Sequence, residues 1–291
     1  MMKKNLSLPI ILIIFIILLI SPIFSIDTSK WTNYSACDLG RLQSPIKLNE
    51  YDSTYSNTFS FVYQNYKTTN LSLTKDKYTL IWNVSNNEGG YVNFEKQGVI
   101  KQYELKRIEL YPGEHDVDGQ KGDYELHLIH KKNLDFNTNK NKYRKIVDAN
   151  MYLTVVLRYK QNCYQSENTH CISDDGLLSA LFDNTGITNF NLNNYPIYQD
   201  KRAYLYEGSF LHIPCDENVN YYVIKDFFYT SFNLTNSNDL QNNNFFKTKS
   251  EADRYGRPVL KNFMNYREFL GSKYLDINIY IFLIIYIIFN F

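Results

Sequence analysis

One segment near the middle of the chain constrains the fold more than any other. Residues 114–130 read EHDVDGQKGDYELHLIH, a turn-rich stretch followed by a run of alternating side chains. Successive side chains of a β-strand point to opposite faces, so the run predicts a strand with two distinct faces. One face carries Glu125, His127 and Ile129, and the other carries Leu126, Leu128 and His130. The two histidines therefore point in opposite directions and cannot bind one metal ion together.

Length and charge limit the class of protein. The chain has 291 residues with 44% apolar and 16% aromatic side chains, enough for one large domain of ~250 residues. No internal repeat or long low-complexity spacer divides it, so we predict a single domain over residues 26–270. Basic and acidic side chains number 31 and 30, and this balance disfavours nucleic acid as a partner.

The amino terminus has the pattern of a secretory signal peptide. Lys3 and Lys4 precede the apolar run Leu8–Ile20, and Ser21, Pro22 and Ser25 follow it. We predict a signal peptide over residues 1–25 and a location in the secretory pathway, outside the cell or at its surface. The alternative is an uncleaved membrane anchor, which needs about 18 or more apolar residues, and this run is shorter and is broken by Pro22.

The carboxyl terminus, residues 271–291, resembles a lipid-anchor signal. Gly271 and Ser272 precede a brief polar spacer, and Ile279–Phe289 is wholly apolar. These features predict membrane attachment through a GPI anchor. The alternative is a terminal strand or helix that packs on the domain.

Cysteines and glycosylation sequons agree with passage through the secretory route. The chain has four cysteines, which allow three pairings. Cys163 and Cys171 lie in one short polar loop where a small ring can close, which leaves Cys37 and Cys215 as a long-range pair, and we predict this pairing. Sequons predict glycosylation at Asn33, Asn70, Asn83 and Asn233.

The rest of the sequence reads as mostly strand. Short β-branched or aromatic runs bounded by Gly, Asn, Asp or Pro predict strands. They cover residues 78–82, 108–111, 124–129, 151–159, 204–206 and 221–224. Helical periodicity is weak everywhere except in residues 175–182. The fold class is therefore predicted to be mainly β, with few short helices.

Several short motifs in a fixed order carry a resemblance to a known family. They are Trp31, Cys37, Gly40, Gln43–Ile46, Glu114–His115, Val117–Gly119, Glu125–His130, Tyr206–Ser209, Pro214–Cys215 and Glu217. Over residues 31–267 the chain resembles the secreted α-carbonic anhydrases, and especially their acatalytic relatives. The resemblance implies one domain with a large, mostly antiparallel, twisted central sheet. It also implies a bridge between the cysteines at positions 37 and 215.

Catalysis in that family needs three neutral imidazoles on zinc, two at alternate positions of one strand and one on its neighbour. The corresponding positions here are Glu109, Tyr111 and His127, so one of three ligands remains. The resemblance implies outer positions at His115 and Glu125, where Glu125 orients a ligand. We therefore expect no zinc and no other cofactor.

Further positions of the family's active site are also altered. The threonine that orients zinc-bound hydroxide corresponds to Leu211, which has no hydroxyl, while its partner glutamate is kept as Glu114. The proton-shuttle histidine falls near Tyr78, and a phenol with a reference pKa of about 10 shuttles protons poorly near neutrality. The catalytic set is therefore not intact, because the kept Glu114 has lost both the metal and the hydroxyl that it serves.

Three functions remain open after this reading. The first is a secreted or surface-anchored, catalytically inactive protein that binds an extracellular or cell-surface ligand. The second is an active carbonic anhydrase with an altered ligand set, drawn from Glu109, His127 and either Tyr111 or His212. The third is a structural component of a surface coat.

Overall fold

The computed structural model describes ten segments of the chain. They are residues 42–75, 79–85, 88–134, 151–161, 171–173, 176–182, 186–195, 201–211, 215–230 and 258–264. The predicted signal peptide, the carboxyl-terminal tail and several predicted site residues lie outside these segments. Those residues are Cys37, Tyr78, Cys163, His212, Asn33 and Asn233, and the predictions made for them stay predictions.

Strands dominate the described residues. They are β1 Thr54–Tyr55, β2 Phe59–Tyr66, β3 Thr69–Lys75, β4 Leu80–Val84, β5 Gly90–Lys96, β6 Val99–Pro112, β7 Tyr124–Lys132, β8 Tyr152–Lys160, β9 Cys171–Ser173, β10 Gly186–Phe190, β11 Ala203–Gly208, β12 Val219–Tyr229 and β13 Leu260–Lys261. An α-helix, α1, covers Leu177–Phe182, within the predicted residues 175–182. A 3₁₀ turn covers Leu192–Asn194. The mainly β prediction is confirmed.

The thirteen described strands form one sheet. Its main path runs β1-β13-β11-β12-β8-β7-β6-β4-β3-β10, with β5 beside β6, β2 beside β5 and β9 beside β12. Among the described pairs, β1–β13, β8–β12 and β9–β12 are parallel and the others are antiparallel. The sheet is therefore mixed, with the antiparallel majority that the sequence predicts.

Strand β6 is much longer than predicted. The predicted strand 108–111 is the end of β6, which begins at Val99. The added part is half exposed and carries charged side chains, so it lacks the apolar run that marks a buried strand. It pairs with β5 through a two-residue turn in which Gln97 and Gly98 have φ of 54° and 74°. Positive φ at both central residues is typical of a type I′ hairpin.

Apolar side chains on the two faces of the sheet enter two core clusters. Leu126 and Leu128 belong to the larger one, and Ile129 belongs to the smaller one together with Val156 of β8. The alternation predicted for β7 is thus confirmed. Helix α1 is tied to the larger cluster by the indole of Trp82, whose Nε1 donates to the carbonyl of Leu181 at 3.0 Å. Within the described segments, no helix has the length and hydropathy to cross a membrane.

Candidate functional site

The sheet brings the three predicted ligand positions together. Glu109 and Tyr111 alternate on β6, and β7 places His127 directly opposite Glu109 and Glu125 directly opposite Tyr111. All four side chains are at least 97% buried. The strand arrangement expected of a metal-binding hairpin is therefore present, and its chemistry depends on the side chains.

Glu109 is neutralised by a side chain of its own strand. The Nε of Arg107 lies 2.6 Å from Oε1 of Glu109, and the Tyr111 hydroxyl donates to Oε2 at 2.6 Å. The guanidinium of Arg107 also lies over the ring of Phe210, at 5.3 Å from its centroid. Arg107 is two residues before Glu109, hence on the same face of β6. It provides the positive charge beside a buried carboxylate.

Tyr111 keeps its proton. Burial raises its pKa well above the ordinary value, and the negative charge of Glu109 raises it further. A phenol that stays protonated donates a hydrogen bond to a carboxylate but is a poor metal ligand. Tyr111 therefore acts here as a donor to Glu109.

A second buried group surrounds Glu125. Its Oε2 lies 2.7 Å from Nδ1 of His115 and 3.1 Å from Nε2 of His127, and its Oε1 accepts from the backbone amide of His115 at 2.7 Å. Burial by itself raises the pKa of Glu125, but His115 and then His127 lower it below the ordinary range. The carboxylate is therefore ionised and satisfied by these donors.

Hydrogen bonds continue from His115 toward the start of the domain. Nε2 of His115 lies 2.7 Å from the hydroxyl of Tyr206, which donates to Oγ of Ser44 at 3.2 Å. Both ring nitrogens of His115 are thus engaged. Tyr206 also stacks on Tyr221, with ring centroids 5.0 Å apart. These contacts give His115 a structural role in the buried network.

The hairpin end that carries His115 is held by a close approach of two glycines. A Cβ added to Gly113 would lie 1.8 Å from the carbonyl oxygen of Gly122. Only glycine permits this distance, which closes the connection between β6 and β7 and sets Glu114 and His115 against Glu125. Glu114 is buried at 2% exposure, and Leu211, which corresponds to the missing threonine, is buried at 4%.

The donor set does not fit a three-imidazole zinc site. Atoms of His115, Glu125 and His127 lie within 4.8 Å of one another, the spacing of a metal-binding cluster. However, Glu125 and His115 bind each other, Glu109 is paired with Arg107, and Tyr111 is protonated. His127 alone retains an unengaged ring nitrogen among the described contacts, its Nδ1. Burial lowers the pKa of His127, so its ring is neutral.

Sequence reasoning found the positions of this site but not all of its members. Arg107, Phe210 and Tyr221 were not predicted to take part. The only available signal was the even spacing of Arg107 from Glu109 along β6, which places both on one face. Periodicity does not show which long side chain turns toward an acid.

Other predicted residues also lie in described parts of the chain, and Cys171 begins β9. Asn70 is exposed on β3, and its Oδ1 accepts from the amide of Asn189 at 3.3 Å. Asn83 is half-buried on β4, and its amide donates to Oγ1 of Thr74 at 3.1 Å. Cys215 is buried and disulfide-bonded. Glycosylation and the pairing with Cys37 stay predictions.

Comparison with known families decides the relationship. The model of the eukaryotic-type carbonic anhydrase family matches residues 26–269, most of the chain. The chain belongs to this family. The carbonic anhydrase resemblance inferred from the motifs is confirmed at the family level.

Relatives of this carbonic anhydrase family member are distant. It is 23% identical to dioscorin dioA3 of Dioscorea japonica over 67% of each chain. It is 28% identical to carbonic anhydrase 6 of Homo sapiens over 57% of this chain and 55% of that protein. It is 25% identical to alpha carbonic anhydrase 8 of Arabidopsis thaliana over 68% of this chain and 48% of that protein. The chain thus spans about half to two thirds of these relatives.

Solved carbonic anhydrase folds show the same architecture. A dioscorin structure in complex with ascorbate gives a TM-score of 0.59 at 19% identity, over 80% of this chain and 90% of that one. The α-carbonic anhydrase of Thermovibrio ammonificans, with the inhibitor sulfanilamide, gives 0.54 at 19% identity, over 78% and 90%. At this identity the likeness establishes the fold alone.

Proposed function

We propose that this protein is a catalytically inactive member of the carbonic anhydrase family that acts by binding a ligand outside the cell or at its surface. The observation that carries the proposal is the ion pair between Arg107 and Glu109. A cationic guanidinium and a carboxylate stand where the family's reaction needs neutral imidazole and a divalent cation.

Charge and protonation support this proposal. A buried carboxylate needs a compensating positive charge, and Arg107 supplies it without an ion. Tyr111 is held protonated by burial and by Glu109. Leu211 cannot accept or donate the hydrogen bond that would orient a hydroxide. Each of these features removes a separate requirement of carbon dioxide hydration.

The predicted signal peptide and the buried disulfide-bonded Cys215 support a secretory route, because disulfides persist in oxidising compartments. A fold can host functions other than the one for which it is known, and this supports binding as the function. In one relative of this fold, the dioscorin, the structure is a complex with the small molecule ascorbate.

One observation favours the alternative of an active enzyme with altered ligands. His115, Glu125 and His127 bring potential ligand atoms within 4.8 Å of one another in a buried place. To bind an ion, His115 would have to give up its contacts with Glu125 and Tyr206, at 2.7 Å each. This cost favours the inactive assignment.

Metal analysis and stopped-flow hydration test the proposal together. The purified ectodomain, equilibrated with zinc and then dialysed, is expected to retain far less than one zinc per chain and to hydrate carbon dioxide at the background rate. Human carbonic anhydrase 6 prepared in parallel serves as the positive control. Stoichiometric zinc together with sulfonamide-sensitive hydration would contradict the proposal and support the altered-ligand enzyme.

A further inference from the structure

A surface cavity of about 260 Å³ lies beside the family site, at the ends of the central strands. Its walls come from Glu50–Tyr51, from the turn Val117–Gln120, from Arg158 of β8, and from Arg202 and Lys225–Phe227 around β11 and β12. Arg107, Glu109 and His127 do not line it. The cavity is therefore separate from the remnant of the catalytic centre.

Arg158 is the buried cation of this cavity, with 1% of its surface exposed. Its Nη1 donates to the carbonyl of Lys225 at 2.8 Å and its Nη2 donates to the carbonyl of Gln120. The ring of Phe227 lies 4.2 Å from the guanidinium carbon. Within the described segments, no carboxylate pairs with Arg158 and its Nε has no acceptor. The direct contacts of this buried positive charge are thus carbonyl oxygens and an aromatic face.

Arg158 remains charged at neutral pH. Burial lowers its pKa to about 10, and the negative charges of Glu125, Asp118 and Asp116 act against that lowering from a distance. Glu125 is the cross-strand neighbour of Arg158, yet its oxygens are engaged by His115 and His127. The guanidinium can therefore accept a further anionic partner.

The carboxylates of the cavity already have partners. Nζ of Lys225 contacts Glu50 and lies 3.0 Å from Asp118, and Nη2 of Arg202 pairs with Asp226. Asp118 also accepts from the hydroxyl of Tyr204 at 3.1 Å. An entering cation would have to displace these contacts, whereas an entering anion meets an unpaired guanidinium.

We propose that this cavity binds a small organic carboxylate. Arg158 holds the carboxylate, because a planar guanidinium matches the two oxygens of that group. Val117 and Phe227 provide an apolar wall for the rest of the ligand, and Tyr51, 74% exposed, stands at the rim. With water occupying about 30 Å³ per molecule, the volume suits a ligand of about the size of benzoate.

Binding of benzoate to the full ectodomain tests this assignment by NMR titration. The expected result is saturable shifts at the amides of Tyr51, Gln120 and Phe227, with little change at Phe210 of the family site. Benzyl alcohol, which has a similar shape without the charge, is expected to bind at least tenfold more weakly. Inorganic phosphate and sulfate show whether any anion suffices, and equal binding by them would overturn the carboxylate assignment.

Three variants locate the site. Arg158→Lys keeps the charge but loses the planar fork, and we expect benzoate affinity to fall at least tenfold. Arg202→Gln removes a more exposed wall cation and leaves Asp226 unpaired, so benzoate affinity should fall several-fold. This variant still tests the site if Arg158→Lys folds poorly. Lys106→Gln removes one positive charge from the outer part of β6 and should leave affinity unchanged. Unaltered affinity in Arg202→Gln and in folded Arg158→Lys, or no saturable shift in the wild type, would overturn the proposal.

Discussion

Arg107, Glu109 and Tyr111 occupy alternate positions of one strand, so their side chains form a chain of contacts along one face of β6. Glu109 is buried, with 1% exposure, whereas the side chain of Arg107 is 28% exposed and reaches solvent. Removing one partner of a buried pair typically costs about 3 to 5 kcal/mol, because the other charge is left uncompensated. A full repair of the metal site therefore changes Arg107 as well as Glu109.

A repair series tests this diagnosis residue by residue. Glu109→His with Tyr111→His is expected to create zinc affinity, and adding Arg107→Gln should raise it about tenfold by removing a cation beside the ion. Leu211→Thr on that background should raise hydration about 10- to 100-fold by orienting the bound hydroxide. Zinc titration and stopped-flow assays measure the two effects.

The same substitutions provide their own controls. Arg107→Gln alone, without the new histidines, should bind no zinc and should be less stable than the wild type in urea. Zinc affinity that is unchanged by the two histidines would show that the alternate positions of β6 do not point at a common ion.

At the scale of the element, β7 carries different chemistry on its two faces. His127 faces the remnant site, whereas His130 lies on the opposite face, where Nε2 lies 2.8 Å from the hydroxyl of Tyr66 and Nδ1 lies 3.2 Å from the carbonyl of Leu153. Burial lowers the pKa of His130 to about 4. One strand thus contains a histidine of the family site and a histidine that serves only the core.

His130 should make the protein sensitive to mild acid. Its pKa is lowered in the folded state, so the unfolded chain binds the proton first and stability falls as the pH drops from 6.5 toward 4. The contribution is on the order of 3 kcal/mol for a shift from 6.5 to about 4. Denaturant unfolding of the wild type and of His130→Gln at several pH values measures it.

The difference between the two proteins isolates His130. His127 and Glu125 also lose stabilising contacts in acid, but both remain in His130→Gln. We expect a flatter dependence of stability on pH in the variant, whatever its stability at neutrality. Parallel curves for the two proteins would be the contrary result.

The hairpin between β5 and β6 offers a second test at this scale. Its turn has positive φ at Gln97 and Gly98, and asparagine adopts this conformation more readily than glutamine. Gln97→Asn is expected to stabilise the fold by about 0.5 to 1 kcal/mol. The β-branched control Gln97→Val should destabilise it, and thermal unfolding ranks the three proteins. A ranking without asparagine above valine would exclude the type I′ geometry.

At the scale of the whole molecule, the sheet joins parts of the chain that are far apart in sequence. β1 pairs with β13 and β3 pairs with β10. Closing such long loops costs conformational entropy, which a covalent bridge reduces in the unfolded chain. Cys215 is buried and disulfide-bonded close to Ser209 and Phe210 in sequence, and its disulfide is a bridge of this kind.

Peptide mapping of the unreduced protein is expected to link Cys215 to Cys37. Replacing both by serine should lower the free energy of unfolding by about 2 to 5 kcal/mol, since the loop they close is long. Cys163→Ser with Cys171→Ser removes a bridge that closes a much shorter loop, so this change should cost less stability. A peptide that joins Cys215 to Cys163 or Cys171 would contradict the pairing.

The sequence by itself determined the fold class, the family and the altered ligand positions. Alternation in residues 125–130 gave the two faces of β7, because a period of two is a local property of the chain. Glu109, Tyr111 and Leu211 could be located by position alone. The strands at the less apolar edge, such as β2 and the start of β6, were not predicted, because half-exposed polar strands lack a strong pattern.

Only the tertiary structure decided what the altered residues do. The pairing of Arg107 with Glu109 depends on which long side chain reaches a buried acid, and periodicity does not specify that. The cavity at Arg158 depends on residues from separate segments, including Glu50, Gln120 and Lys225, that meet only in the folded sheet. Ion pairs and cavities arise from distances between remote parts of the chain, whereas strands and their faces arise from neighbouring residues.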